Sequence, residues 1–103
     1  MNTQRPLTIA LEEHYNDPQL VAHFTGLDLK RAPHIEQRLL DLGELRLREM
    51  DEGGIDIQVL SHAGPTTQKL DPDTAIRMAR LTNDRLAAQI GRASCRERVF
   101  AVV

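Results

Sequence analysis

Two short apolar runs, Leu7-Thr8-Ile9-Ala10-Leu11 and Ile55-Asp56-Ile57-Gln58-Val59-Leu60, stand on either side of a stretch with helical periodicity. That alternation restricts the chain more than any other feature. Strand, helix, strand is a crossover unit, and such units build parallel sheets with right-handed connections. The spacing predicts a buried first strand over 7–14, ending in the charged tip Glu12-Glu13-His14. It predicts a second strand over 55–61, rich in β-branched residues and running into Ser61 and His62.

Between them, from His34 to Asp51, Leu39, Leu40, Gly43, Leu47 and Met50 recur at three- and four-residue spacing. Leu42-Gly43 is a natural point of division into a shorter and a longer helix, and Gly53-Gly54 suits a helix end. Tyr15 to Pro33 has no clean period, and Asp17-Pro18, Gly26 and Ala32-Pro33 interrupt it. It reads as a long loop with one helical turn near Gln19 to Phe24. Asp71-Pro72-Asp73 then opens a helix whose expected buried stripe is Ile76, Ala79, Leu86, Ala87 and Ile90, with Asn83 on the apolar side. Val99 to Val103 is the expected third strand. The order is βαβαβ, the opening of a barrel or of a doubly wound sheet. No glycine-rich phosphate loop follows the first strand, where a dinucleotide fold places one.

The first strand tip carries the chemistry. Side chains on a regular strand alternate faces, so Glu12 and His14 are expected to point one way and Glu13 the other. A carboxylate oxygen and a neutral imidazole nitrogen suit zinc, and manganese as well. A catalytic site needs more than two protein ligands. Glu-x-His at a hydrated strand end is also common in proteins that bind nothing. His62, one step past the second run, occupies the position His14 has on the first. It reads as a substrate contact, an adventitious third ligand or a plain loop histidine. His23 reads as a solvated loop histidine or a substrate contact.

Composition narrows the partners. The chain has 103 residues, a net charge of −2 and no basic block, with Tyr15, Phe24 and Phe100 its aromatics. Nucleic acid and membranes are therefore not the expected partners. Met1 to Pro6 lacks the apolar core of a signal peptide, and one cysteine, Cys95, builds no disulfide framework. The expected location is cytoplasmic.

Ala10-Leu11-Glu12-Glu13-His14, Arg38-Leu39-Leu40-Asp41, Arg46-Leu47, Met50-Asp51, Gly54-Ile55, Leu60-Ser61, Pro65, Ala79-Arg80 and Asn83-Asp84-Arg85-Leu86-Ala87 together resemble the amidohydrolase superfamily. Within it they look most like the aminocarboxymuconate-semialdehyde decarboxylase group, which includes γ-resorcylate and hydroxybenzoate decarboxylases. The resemblance covers about residues 7 to 90. It implies an α/β fold, the first βαβαβ portion of a (β/α)8 TIM-type barrel, truncated here. It implies Glu12 and His14 as the first two ligands of a divalent metal, zinc or manganese, with a further histidine and an aspartate from later strands. It implies non-oxidative decarboxylation of a hydroxylated aromatic carboxylic acid, that aspartate protonating the ring carbon, and a homo-oligomer at full length. His62 departs from the apolar residue expected after Leu-Ser.

Residues 1–89 would be the N-terminal part of that domain. Residues 90–103 would be an artefactual or chimeric tail, since Ile90 to Val99 looks like a translated sequencing adapter; Cys95 then has no role. The alternatives are a metal-dependent hydrolase of the same superfamily and a small non-catalytic α/β interaction domain. Alone, such a truncated piece is expected to be inactive, and to aggregate or be molten.

Overall fold

A computed structural model of the chain describes residues 5–25, 32–91 and 99–101. Strand β1 (Ile9–Tyr15) leads to a single turn, α1 (Pro18–Val21), then to α2 (Pro33–Leu40) and α3 (Glu44–Gly53). Strand β2 (Ile57–His62), helix α4 (Pro72–Ile90) and strand β3 (Val99–Ala101) follow. The three strands form one sheet in the order β1-β2-β3, both pairings parallel. The expected α/β class with a parallel sheet is what forms. Each of the first two strands begins two residues later and ends one later than its pattern predicts. The adapter-like segment and Cys95 fall largely in 92–98, and Gly26 in 26–31, outside the described residues.

Local chemistry sets the element ends. Asp17 caps α1, its Oδ1 accepting the Gln19 N–H at 2.8 Å. Asp71 caps α4, its Oδ2 accepting the Thr74 N–H at 3.1 Å, and a proline opens both helices. The division between α2 and α3 falls where Leu42-Gly43 suggests, and Asp41 makes it. Its backbone turns extended, and its Oδ1 accepts the N–H groups of Gly43 and Arg46 at 2.9 and 3.1 Å. Gly54 ends α3 at φ 73°, a left-handed conformation that favours glycine.

The core lies on one face of the sheet. Tyr15, Met50, Leu60 and Leu86 form one buried cluster, and Leu20, Phe24 and Met78 a second. Two expectations fail here. On α4 the buried stripe runs through Met78, Thr82 and Leu86, whereas Ile76 is 55% exposed and Ala87 is exposed. Thr82 can be buried because its hydroxyl donates to the Met78 carbonyl at 2.9 Å. Tyr15, Asn16 and Asp17, just past the apolar run, are buried as well. The second failure is on β1 and just before it: Leu7, Ile9 and Leu11, expected inside, are 48%, 50% and 70% exposed. Ile9 pairs with Ile57 on the face opposite Gln58 and Leu60, and it is Gln58 and Leu60 that are buried.

Candidate metal centre at the strand tips

The tip of β1 is irregular. Ala10 pairs with Gln58 but Glu13 pairs with Leu60, so β1 holds one extra residue between them. Glu12 lies in this bulge at φ 54°, a left-handed conformation that costs a non-glycine residue about 1–2 kcal/mol. The simple alternation expected to align Glu12 with His14 is therefore broken. The bulge instead places His14 on the face of Ile9, beside Ser61, and turns Glu13 toward the face of Leu60. The side chains of Glu12 and His14 are both exposed.

His14 is held at ring and backbone. Its Nδ1 lies 3.2 Å from Ser61 Oγ and 3.4 Å from the Ser61 carbonyl oxygen. Its own carbonyl accepts from Arg46 Nη2 at 3.1 Å. Arg46 also donates to the carbonyls of Asp41 and Arg38, at 2.8 and 3.0 Å, and to Gln58 Oε1 at 3.1 Å. One guanidinium thus ties α2, α3, β1 and β2 together below the tip. Burial pulls its pKa down, opposed by Glu13, Asp41 and Glu49, and an arginine remains cationic.

His62 does not join His14. It pairs with Tyr15, on the opposite face from the His14–Ser61 pair. Its Nε2 accepts the Asp17 N–H at 2.8 Å, and its Nδ1 donates to the Ala63 carbonyl at 2.8 Å. Both nitrogens are committed, so no lone pair remains for a metal. The ring packs edge-on against Tyr15 and Phe24, with centroids 5.0 and 6.1 Å away. Burial is the main cause that lowers its pKa and keeps it neutral. The role of third ligand or substrate contact is replaced by that of a structural histidine. Burial, aided by Asp17, raises the Tyr15 phenol to about 12, so it stays protonated. His23 is exposed.

Sequence reasoning missed the polar knot after β1. Asp17 Oδ2 accepts from Arg85 Nε at 2.7 Å, tying the loop to α4, while buried Asn16 Oδ1 has no partner among the described residues. Asp17-Pro18 carried the signal, being the same capping pair as Asp71-Pro72. Among the described residues no three of His, Cys, Asp and Glu gather to hold a metal. Glu12 and His14 fit a divalent cation by donor type and leave most of its coordination to other ligands.

No family model matches the chain. Among curated proteins, the γ-resorcylate decarboxylase of Polaromonas sp. JS666 is 38% identical over 97 residues, which is 92% of this chain and 30% of that protein. The chain is similar to γ-resorcylate decarboxylases. Among solved structures, 2,6-dihydroxybenzoate decarboxylase from Rhizobium superposes with a TM-score of 0.78 at 32% identity, over 96% of this chain and 30% of its own. A 5-carboxyvanillate decarboxylase from Novosphingobium aromaticivorans, complexed with manganese and a nitrobenzoic acid, gives 0.80 at 30% identity, over 97% and 34%. The chain therefore spans about a third of the length of the proteins it matches, and the resemblance read from the residues is supported.

Proposed function

We propose that residues 1–89 form the opening portion of a metal-dependent, non-oxidative decarboxylase acting on a hydroxylated aromatic carboxylic acid. The observation that carries this reading is the match to such decarboxylases over nearly the whole chain, with a carboxylate and an imidazole at the C-terminal tip of its first parallel strand. Strand C-termini are where (β/α)8 barrels place their active sites, and a barrel is the architecture this reading carries.

Glu12 and His14 would hold a divalent metal, manganese or zinc, together with ligands from beyond the described residues. When bound, the cation would act as a Lewis acid on the substrate's carboxylate and neighbouring hydroxyl. The chain's own part is to present two donors from a stiff support. His14 is fixed through Ser61 and Arg46, and Glu12 through the bulge. Nothing described at the tip is placed to protonate a ring carbon, so this chain alone is expected to show no turnover. General acid catalysis alone is worth ~10²–10⁴-fold. A cytoplasmic location and a homo-oligomer at full length belong to the same reading.

The test is a chimera. Residues 5–89 replace the matching third of the Polaromonas enzyme, and carbon dioxide release from 2,6-dihydroxybenzoate is measured with manganese present. Turnover that disappears together with bound metal in Glu12→Gln and in His14→Ala supports the reading. Turnover and metal content unchanged in His14→Ala would show the strand tip to be misassigned.

A further inference from the structure

We propose that Ser61 is the positioning residue of His14, holding its ring in the Nδ1–H tautomer so that the Nε2 lone pair is free for a ligand. This rests on the metal-site reading above and adds to it a residue, a tautomer and a coordinating atom.

The argument is one of donors and acceptors. His14 and Ser61 are register partners on adjacent parallel strands. Two oxygens of Ser61 approach one nitrogen of His14, the hydroxyl at 3.2 Å and the carbonyl at 3.4 Å. A hydroxyl can donate or accept, so it does not choose the tautomer. A carbonyl oxygen only accepts. If Nδ1 carried a lone pair, that lone pair would face the carbonyl's own. With the proton on Nδ1, both oxygens accept from it in a shared, bifurcated arrangement. The Nδ1–H form is the one in which neither contact is repulsive, and it leaves Nε2 unprotonated.

Two further features make the contact a support. The His14 backbone cannot swing freely, because Arg46 grips its carbonyl at 3.1 Å. The extra residue in β1 is also necessary to it. Without the bulge, strict alternation would carry the His14 side chain to the other face, away from Ser61. Metal-binding histidines ordinarily donate their second ring N–H to such a partner, and loss of the partner typically weakens metal binding 10–100-fold.

The experiment uses the chimera described above, labelled with ¹⁵N at histidine and stripped of metal, at a pH where imidazoles are neutral, with His14 assigned by comparison with His14→Ala. Long-range ¹H–¹⁵N correlation reports which ring nitrogen of His14 carries the proton. The expected result is Nδ1–H in the parent chimera, a modest rise of the Nε2–H form in Ser61→Ala, where the carbonyl alone still selects the tautomer and the hydroxyl's share of the bifurcated bond is lost, and restoration in Ser61→Thr, which keeps the hydroxyl. Manganese added to the same samples should broaden the His14 resonances at roughly tenfold higher concentration in Ser61→Ala. The carbonyl remains in that variant, so the low end of the range is expected. A parent chimera in which His14 carries its proton mainly on Nε2, or one in which Ser61→Ala changes neither the tautomer distribution nor the manganese needed to broaden His14, overturns the proposal. If the tautomer depends on Ser61 but manganese leaves His14 untouched in every sample, the positioning role stands and the metal reading fails.

Discussion

The two ends of the small sheet are built to opposite rules. At the N-terminal end, Asp56 is buried and fully occupied. Arg5 grips it with two bonds, 2.8 and 2.7 Å, and the Thr8 N–H adds a third at 2.8 Å. At the C-terminal end, Glu12 and His14 are exposed, Glu12 sits at φ 54° and Asn16 Oδ1 is buried without a partner among the described residues. The N-terminal end spends its polar groups on cohesion, whereas the C-terminal end holds both kinds: Asp17 and His62 are bonded and inward, while Glu12 and His14 are left exposed at some cost in strain. Strained backbone that persists at one place is a pointer to function. On the proposed reading these ends would be the stabilising and catalytic faces of a barrel.

The largest effect that tests this division is on metal binding. Manganese titrated into the metal-free chimera, followed by paramagnetic broadening, should bind at the β1 tip. His14→Ala and Glu12→Gln should each remove detectable binding, and Asp56→Asn should leave it in place. Binding that survives both tip variants but falls with Asp56→Asn would reverse the roles of the two ends.

The next effect lies at the other end. Asp56→Asn keeps the volume but removes the charge that Arg5 and the Thr8 amide share. Hydrogen bonds to a charged partner are worth about 1.5–3 kcal/mol, and Arg5 is partly exposed, so a loss of about 2–3 kcal/mol in all is expected. Hydrogen exchange at the Thr8 amide reads it directly, with protection falling by about 30–150-fold. Unchanged protection would mean that the clasp is ornamental.

Much of this arrangement is legible in the residues. The strand–helix order, the Asp71-Pro72 helix start and the glycine end of α3 follow from local rules that tertiary packing does not overrule. The bulge is not legible, because Leu11-Glu12-Glu13 continues the strand pattern and nothing in it demands a positive φ. The state of His62 is not legible either. Position on the chain makes it the twin of His14, and only the register shows that it shares the Tyr15 face. The misplaced stripe on α4 has a similar cause. Thr82 counts as polar in a pattern, yet its hydroxyl is satisfied within its own helix. The exposure of Leu7, Ile9 and Leu11 shows the limit of the period itself. An alternating run marks an apolar face without saying what packs on it.

His62 gives an effect that depends on pH. Burial sets its folded-state pKa below the ordinary 6.5, so the unfolded chain takes up the proton first as pH falls. Stability is full above about 6.5, declines as pH drops below it, and stops changing on this account below the folded-state pKa. The titratable groups near the ring are Asp17 and His14, which act in opposite directions and rank behind burial. In urea unfolding of the chimera between pH 7.5 and 5, His62→Gln should flatten the decline, since an amide oxygen can still accept the Asp17 N–H. A decline of the same size in His62→Gln would assign it to another group.

The smallest effect is the most diagnostic for the strand tip. Glu12→Gly removes a proposed ligand and also relieves the left-handed backbone at φ 54°. Relief contributes about 1–2 kcal/mol. The greater freedom of glycine in the unfolded chain takes back roughly 0.5–1 kcal/mol. In the chimera the variant should therefore be as stable as the parent, or up to about 1.5 kcal/mol more stable, by its urea midpoint, while losing manganese binding. Glu12→Ala loses the ligand and keeps the strain, so it should show no such gain. A Glu12→Gly protein clearly less stable than Glu12→Ala would mean that the bulge is not strained. The contrast between a cohesive end and a strained, donor-bearing end would then rest on exposure alone.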